Sequence, residues 1–382
     1  MGRAVTDAAV VGRILHEYRL DAVSSWRRYG SVSDTRVGYE FRRPGGGATL
    51  VRAYRMDVPL PEYFRGSGSA SVTDWLPGRA ATLEWLAARG YPAPRVVPTR
   101  EGDLVGVAAL WLTLGTTFVP GRAPARGQLG LLGAALGRLH ALPVQAAAPA
   151  PGGVPAAGGV PAAGDAPGPG GVPAPGLASW HPAAAIPAAL ARLDAVERLL
   201  PEGWRPLQEQ FRATLLAVQA AAPGLPRSVV HGDAWPRNAV VMPDGRAALI
   251  DWENGGLGLP VVDLGHCLME CHLDPGLPVG QPAAWLIQPD PGRVAAVLDG
   301  YTRWRQVHSA ERKILPEGIR FASAYVGAIH FERALIDGVR GPTMDARLAR
   351  LRNRIAVSQA VADIAARHLG SPGSEGRMPR GS

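Results

Sequence analysis

Lysine is almost missing from this chain: of 40 Lys and Arg residues among 382, only Lys313 is Lys. The bias reads as the mark of a GC-rich genome, yet any site that needs a cation before residue 313 must then use Arg, whose planar fork grips two oxygens of an oxyanion at once. Cysteine is scarce as well. Cys267 and Cys271 are the only two, too few for a disulfide framework. They sit in His266-Cys267-Leu268-Met269-Glu270-Cys271-His272, where one helical turn gives an incomplete ligand set, so both read as core residues rather than a zinc site. No apolar run reaches the roughly 18 residues of a membrane span. Asp7 interrupts the start too early for a secretion signal, so a cytoplasmic location without a membrane partner is expected. Clustered positive charge is also lacking. The net charge is +8, but residues 251–345 hold twelve Asp and Glu against eight Arg and Lys, a net of −4 that leaves +12 for the remainder. A scattered Arg-dominated surface with one acidic half excludes a nucleic-acid stripe.

What is present is concentrated in His231-Gly232-Asp233-Ala234-Trp235-Pro236-Arg237-Asn238, followed thirteen residues after the Asn by Asp251-Trp252-Glu253. Between them, Ala239–Met242 and Ala247–Ile250 read as two short strands joined by the reverse-turn sequence Pro243-Asp244-Gly245-Arg246. That turn folds Asn238 back beside Asp251. The set supplies a carboxylate able to accept a hydroxyl proton, plus an amide oxygen and a second carboxylate able to hold magnesium. These are the parts phosphoryl transfer requires.

The segment resembles the catalytic region of the aminoglycoside phosphotransferase and choline kinase-like family, whose fold is that of the protein kinases. The shared pattern is His-Gly-Asp, Asn five residues after the Asp, and Asp-Trp at the end of the next strand. The resemblance implies that Asp233 is the catalytic base, Asn238 and Asp251 are the magnesium ligands, and His231 is a structural brace. It implies that Glu253 reaches the metal through water or meets the acceptor directly, and that Asp263 of Asp263-Leu264-Gly265 bonds the catalytic-loop backbone. Trp235-Pro236-Arg237 replaces the His-Pro-Gly frequent in the family, which leaves the acceptor open.

Upstream, Val10, Val11, Ile14, Leu15 and Tyr18 are spaced as a helix within residues 5–22. From Trp26 the period changes to two, through Val37, Tyr39 and Phe41. Pro44–Gly47 then turns the chain into a partner strand over Thr49–Tyr54. By resemblance this hairpin opens a nucleotide-binding small lobe, with Gly30 and Ser31 in the loop that covers the ATP phosphates. Arg52 is the cation of the third strand, ahead of Arg55, and Glu84, on a helix over 80–89, is its partner. Val96-Val97 and Val105–Leu114 supply further strands, and Thr117–Gly121 the hinge.

Leu129–Leu142 reads as a helix that carries His140 as a packed core residue. Residues 145–176 are Ala, Gly and Pro in near-hexads and cannot build a core, so a disordered insertion is expected. Helices are expected near 183–200, 204–221, 261–272, 292–305, 317–338 and 343–368, and a disordered tail from 369 to 382. The expected fold is α+β, a protein kinase-like pair of lobes: a small antiparallel-sheet lobe over 1–121 and a larger, mainly helical catalytic lobe over 122–368. The implied function is ATP- and Mg2+-dependent phosphate transfer to a small-molecule hydroxyl. The acidic balance of 251–345 favours an aminoglycoside-like amine, although homoserine, choline, sugars and macrolides serve relatives of the fold. The alternative is a pseudokinase-like protein that binds nucleotide or a small molecule without transfer.

Overall fold

The computed structural model describes residues 7–29, 35–60, 71–144, 182–276, 285–339 and 341–370. The expected insertion over 145–176 lies outside them, as do Gly30, Ser31 and the tail from 371 onward. Leu369 and Gly370, expected to be tail, instead close the last helix, because the buried Leu369 packs into the main core.

The first part of the chain builds one antiparallel sheet. Strands β1 (Ser25–Arg28), β2 (Arg36–Arg42), β3 (Ala48–Arg55), β4 (Val96–Val97), β5 (Gly106–Ala108) and β6 (Trp111–Thr117) run in the order β1-β2-β3-β6-β4, with β5 also pairing with β6. Helix α1 (Asp7–Glu17) lays Val10, Val11 and Ile14 against Val37, Tyr39, Phe41, Val51 and Ala53 on one face of that sheet. The single strand expected over Val105–Leu114 is a hairpin instead. Ala109 takes a left-handed φ of 59° and reverses the chain, so Gly106 pairs with Thr113. Helix α2 (Val72–Ala88) starts well before residue 80. Its cap, Ser71, accepts from the Asp74 amide at 3.2 Å, and burial of Val72, Trp75 and Leu76 offsets the backbone bond lost at Pro77.

The remainder is mainly helical: α3 (Leu129–His140), α4 (Pro182–Val196), α5 (Arg205–Ala221), α6 (Pro260–Glu270), α7 (Pro291–Thr302), α8 (Ser309–Leu335) and α9 (Pro342–Gly370). α8 is the central post, against which α4, α5, α6 and α9 pack. It begins eight residues earlier than the expected 317 because Glu311 caps it, accepting from the His308 amide at 3.1 Å, so that Pro316 falls inside. Two short antiparallel pairs carry the loops of interest: β7 (Ser228–Val230) with β10 (Gly256–Gly258), and the hairpin of β8 (Ala239–Val241) with β9 (Ala247–Leu249). The segment after β6 crosses β8 at Gly121, where an added Cβ would sit 2.2 Å from the Val241 carbonyl. Among the described residues no helix is long and apolar enough to cross a membrane.

Candidate active site

β7 is buried along its whole length and delivers His231, Gly232 and Asp233 to the cleft between the sheet and the helices. Gly232 turns at φ 77°, which glycine adopts without a Cβ penalty. Two successive amides can then reach one carboxylate: His231 N–H donates to Asp263 Oδ2 at 2.6 Å and Gly232 N–H to Oδ1 at 3.0 Å. Asp263 is held in turn. Arg305 donates to the Tyr301 hydroxyl at 2.8 Å, Tyr301 faces His140 Nδ1 at 3.0 Å, and His140 Nε2 faces Asp263 Oδ2 at 3.1 Å. Burial keeps the His140 pKa below its usual value despite Asp263, so a neutral ring can pass this chain of bonds along with one N–H. Helices α3 and α7 approach closely enough for it because Gly133 and Gly137 lack side chains. A Cβ there would lie 2.0 Å from the Val297 carbonyl and 2.4 Å from that of Tyr301.

The β8–β9 register pairs Ala239 with Leu249. Ile250 N–H extends the pairing by donating to the Asn238 carbonyl at 2.8 Å, so Asp251 emerges beside Asn238. The Asn238 amide nitrogen donates to the Asp233 carbonyl at 3.0 Å and to its Oδ2 at 2.7 Å, which leaves its own Oδ1 as an oxygen donor. Asp251 takes a left-handed backbone, φ 65° and ψ 58°, a conformation that Asp tolerates better than most residues. His231 braces the two turns: Nε2 faces the Ile250 carbonyl at 2.8 Å and Nδ1 accepts from the Asp233 amide at 3.3 Å. Its ring packs edge-on to Trp252 at 4.7 Å.

On the sheet side, the two-residue period of β3 turns Leu50, Arg52 and Tyr54 into a cavity of about 280 Å³, bounded also by Thr116–Val119 and Gly121. Arg52 donates to Asp251 Oδ1 at 2.7 Å and to Glu253 Oε1 at 3.1 Å. Tyr54 donates to the same Glu253 oxygen at 2.5 Å, and Arg36 pairs with the other. Arg55, an odd number of residues away, lies on the opposite face, bonded to Asp57 at 2.8 Å.

Two expectations need correcting here. Glu84 is exposed and is not the partner of Arg52, because it lies five residues, about 140° around the helix, from the cleft-facing Arg79. Glu253 does not reach toward an acceptor, since its oxygens are taken by Arg36, Arg52 and Tyr54. Asp251 and Glu253 titrate apart. Despite burial, Arg52 and Arg36 hold the Asp251 carboxyl below the usual range, whereas burial and the Asp251 charge raise that of Glu253.

A second cavity, about 200 Å³, continues past Arg36, Gly38, Arg237, Asn238 and Asp251. A third of about 200 Å³ opens on the far side of Asp233, toward α6 and α9. There His266 Nε2 lies 3.1 Å from Asp233 Oδ1. Burial lowers the His266 pKa, but the bond to Asp233 and its charge outweigh this and raise it overall. Sequence reasoning missed roles for Arg36, Tyr54, Arg79, His140 and His266. Two carried a usable signal: His266 follows Asp263 by three residues, hence shares its helix face, and Arg79 is a lone charge on the apolar Trp75–Leu83 face.

Residues 64–299 match the model of the APH phosphotransferase enzyme family. The chain belongs to the phosphotransferase enzyme family. This family member is 30% identical over 255 residues to a homoserine kinase of Acidiphilium cryptum (strain JF-5), a match covering 63% of this chain and 64% of that one. The chain thus spans just under two thirds of that relative's length. Among solved structures, an amicoumacin kinase in complex with AMP-PNP, Ca2+ and Ami superposes with a TM-score of 0.57 at 14% identity, over 94% of each chain. An aminoglycoside phosphotransferase from Alicyclobacillus acidocaldarius subsp. acidocaldarius DSM 446 gives 0.56 at 13%, over 97% of this chain and 98% of that one. These likenesses show the fold of this phosphotransferase family member to be protein kinase-like.

Proposed function

We propose that this family member transfers the γ-phosphate of ATP, with magnesium, to the hydroxyl of a small molecule. The observation that carries the reading is the junction of three cavities at which Asn238 bonds Asp233 at 2.7 Å and stands beside Asp251 across the β8–β9 hairpin. Asn238 Oδ1 and the Asp251 carboxylate are hard oxygen donors, the chemistry Mg2+ selects. When bound, the metal neutralises charge on the phosphates. The chain's own residues do the rest. Asp233 orients the acceptor hydroxyl and takes its proton as the oxygen bonds to the γ-phosphorus, while the bond from phosphorus to the β–γ bridging oxygen breaks and ADP departs. Arg52 exchanges its bond to Asp251 for phosphate oxygens. Arg79 adds a second cation to the nucleotide cavity.

The direct Arg52–Asp251 bond favours one competing reading, nucleotide binding without transfer. ADP release over a panel of hydroxyl metabolites and antibiotics, in wild type and Asp233→Asn, separates the two. The panel includes aminoglycosides, for the amine suggested by the charge of 251–345, and homoserine, after the relatives' name. Transfer predicts acceptor-dependent ADP release that falls about a hundredfold to ten-thousandfold in the variant, with MgATP affinity retained. Nucleotide binding with no acceptor-stimulated release in wild type would support the competitor.

A further inference from the structure

The third cavity bears on the acceptor, whose chemistry the reaction leaves open. It is lined by Asp233 and His266 at one end and by Trp285, Arg347, Arg350 and Arg354 toward the other. The three arginines recur at i, i+3 and i+7 on α9 and so share a face. Arg354 is fully compensated, since it donates to both oxygens of Glu270 at 2.6 and 2.7 Å. Asp233 is engaged by Asn238 and His266. Arg347 and Arg350 have no carboxylate partner among the described residues. Instead, Arg350 stacks on Trp285 at 4.7 Å, Arg237 approaches the same ring at 5.9 Å, and Trp235 lies 6.0 Å from it.

From this juxtaposition, and resting on the phosphotransfer reading, we propose that Arg347 and Arg350 bind a carboxylate of the acceptor, making the substrate a small hydroxy acid rather than an amine without an acid group. Guanidinium forks match a carboxylate in geometry and charge. A cationic acceptor would meet like charge. The surroundings register the imbalance: burial together with Arg347, Arg333 and Arg350 pushes the His330 pKa down to about 3. Burial with Arg354 and Arg347 also lowers that of Arg350, against Glu270. An anion relieves this repulsion. Trp235 and Trp285 give the carbon chain an apolar wall, and a cavity of about 200 Å³ admits only a small molecule. The hydroxyl belongs near Asp233 and His266, and the carboxylate near Glu270 and Arg350, about one helical turn further along α6.

The test reads binding and transfer separately on the full chain. Saturation-transfer NMR is run with 3-hydroxybutanoate, 4-hydroxybutanoate and L-homoserine, each against its analogue with the carboxylate reduced to an alcohol, and with 4-amino-1-butanol and glycerol 3-phosphate. At least one acid is expected to bind and its reduced analogue and the amine not to. Arg347→Gln/Arg350→Gln is expected to abolish that binding with the melting temperature preserved, and Arg347→Lys/Arg350→Lys to restore part of it. In ADP release, the Gln pair should raise the acceptor KM at least tenfold and leave the KM for ATP unchanged. Failure of all three acids to bind, equal binding of the amine, or binding that survives the Gln pair overturns the proposal. Stronger Arg-dependent binding of glycerol 3-phosphate overturns the carboxylate assignment. Arg-dependent binding without ADP release overturns the transfer reading and leaves the carboxylate site standing.

Discussion

The two sides of the cleft treat arginine differently. On the sheet side, Arg36 and Arg52 are bonded to Asp251 and Glu253, and Arg79, 2% exposed, has no hydrogen-bond partner for Nε and one terminal nitrogen among the described residues. Along α9, Arg354 is saturated by Glu270 while Arg347 and Arg350 line the third cavity with no carboxylate partner among the described residues. A compensated guanidinium fixes geometry but projects little field. An uncompensated one projects a positive potential that waits for an anion. Each side therefore pairs a scaffold of bonded arginines with a few that are available to a ligand.

The harshest way to break the nucleotide side is Asp251→Ala, which removes both the proposed metal ligand and the Arg52 anchor. MgATP affinity by calorimetry should fall by about a hundredfold or more, and unchanged affinity with the metal requirement intact would put the metal elsewhere. Next comes Arg52→Ala. It should raise the KM for ATP and lower turnover by about tenfold to a hundredfold, the scale of a lost charge-assisted bond, with Arg52→Lys recovering part and Arg55→Ala matching wild type. A crippled Arg55→Ala beside a silent Arg52→Ala would reverse the face assignment of β3.

Arg79→Met sharpens the comparison by removing an uncompensated cation. Burial lowers the Arg79 pKa to about 10, against Glu253, so the side chain is kept at a cost. The nucleotide-free variant should gain about 1–3 kcal/mol, the usual penalty of unbonded buried polar groups, and lose several-fold in ATP affinity. Melting curves with and without MgATP check both. An equal nucleotide-induced shift in the two proteins would make Arg79 purely structural. The smallest effect belongs to His266. Its folded pKa is raised by Asp233, so the pair contributes fully below the ordinary histidine value and is lost as pH rises through the folded one. The stability advantage of wild type over His266→Gln should therefore shrink from about pH 6 to about pH 9 by at most about 1 kcal/mol. A gap that widened over that range would mean His266 acts as a neutral partner.

The catalytic loop and its hairpin were legible because their bonds are local: Asn238 meets Asp233 five residues back, and one reverse turn returns Ile250 to Asn238. Helices were legible from their apolar spacing, but their starts were misread at Pro77 and Pro316, where a cap and tertiary burial outweigh one missing N–H. His140 looked like a core residue and is one, yet its second ring nitrogen orients Asp263 from 123 positions away. No spacing rule reaches across that separation.

Charge shows the same limit most clearly. The residues 251–345 carry −4, but Arg347, Arg350, Arg352 and Arg354 follow at once and bring 251–354 to twelve acids and twelve bases. Folding then turns three of those arginines, Arg347, Arg350 and Arg354, into the third cavity and leaves the acids Asp299, Glu317 and Glu332 in ion pairs elsewhere. The sequence by itself determined the loop, the hairpin and the absence of any lysine before residue 313, which leaves β3 only arginine as a cation. Only the tertiary structure decided which carboxylates meet Arg52 from about 200 residues away, and which arginines have no carboxylate partner among the described residues, because backbone hydrogen bonds propagate along the chain whereas Coulomb forces act through space.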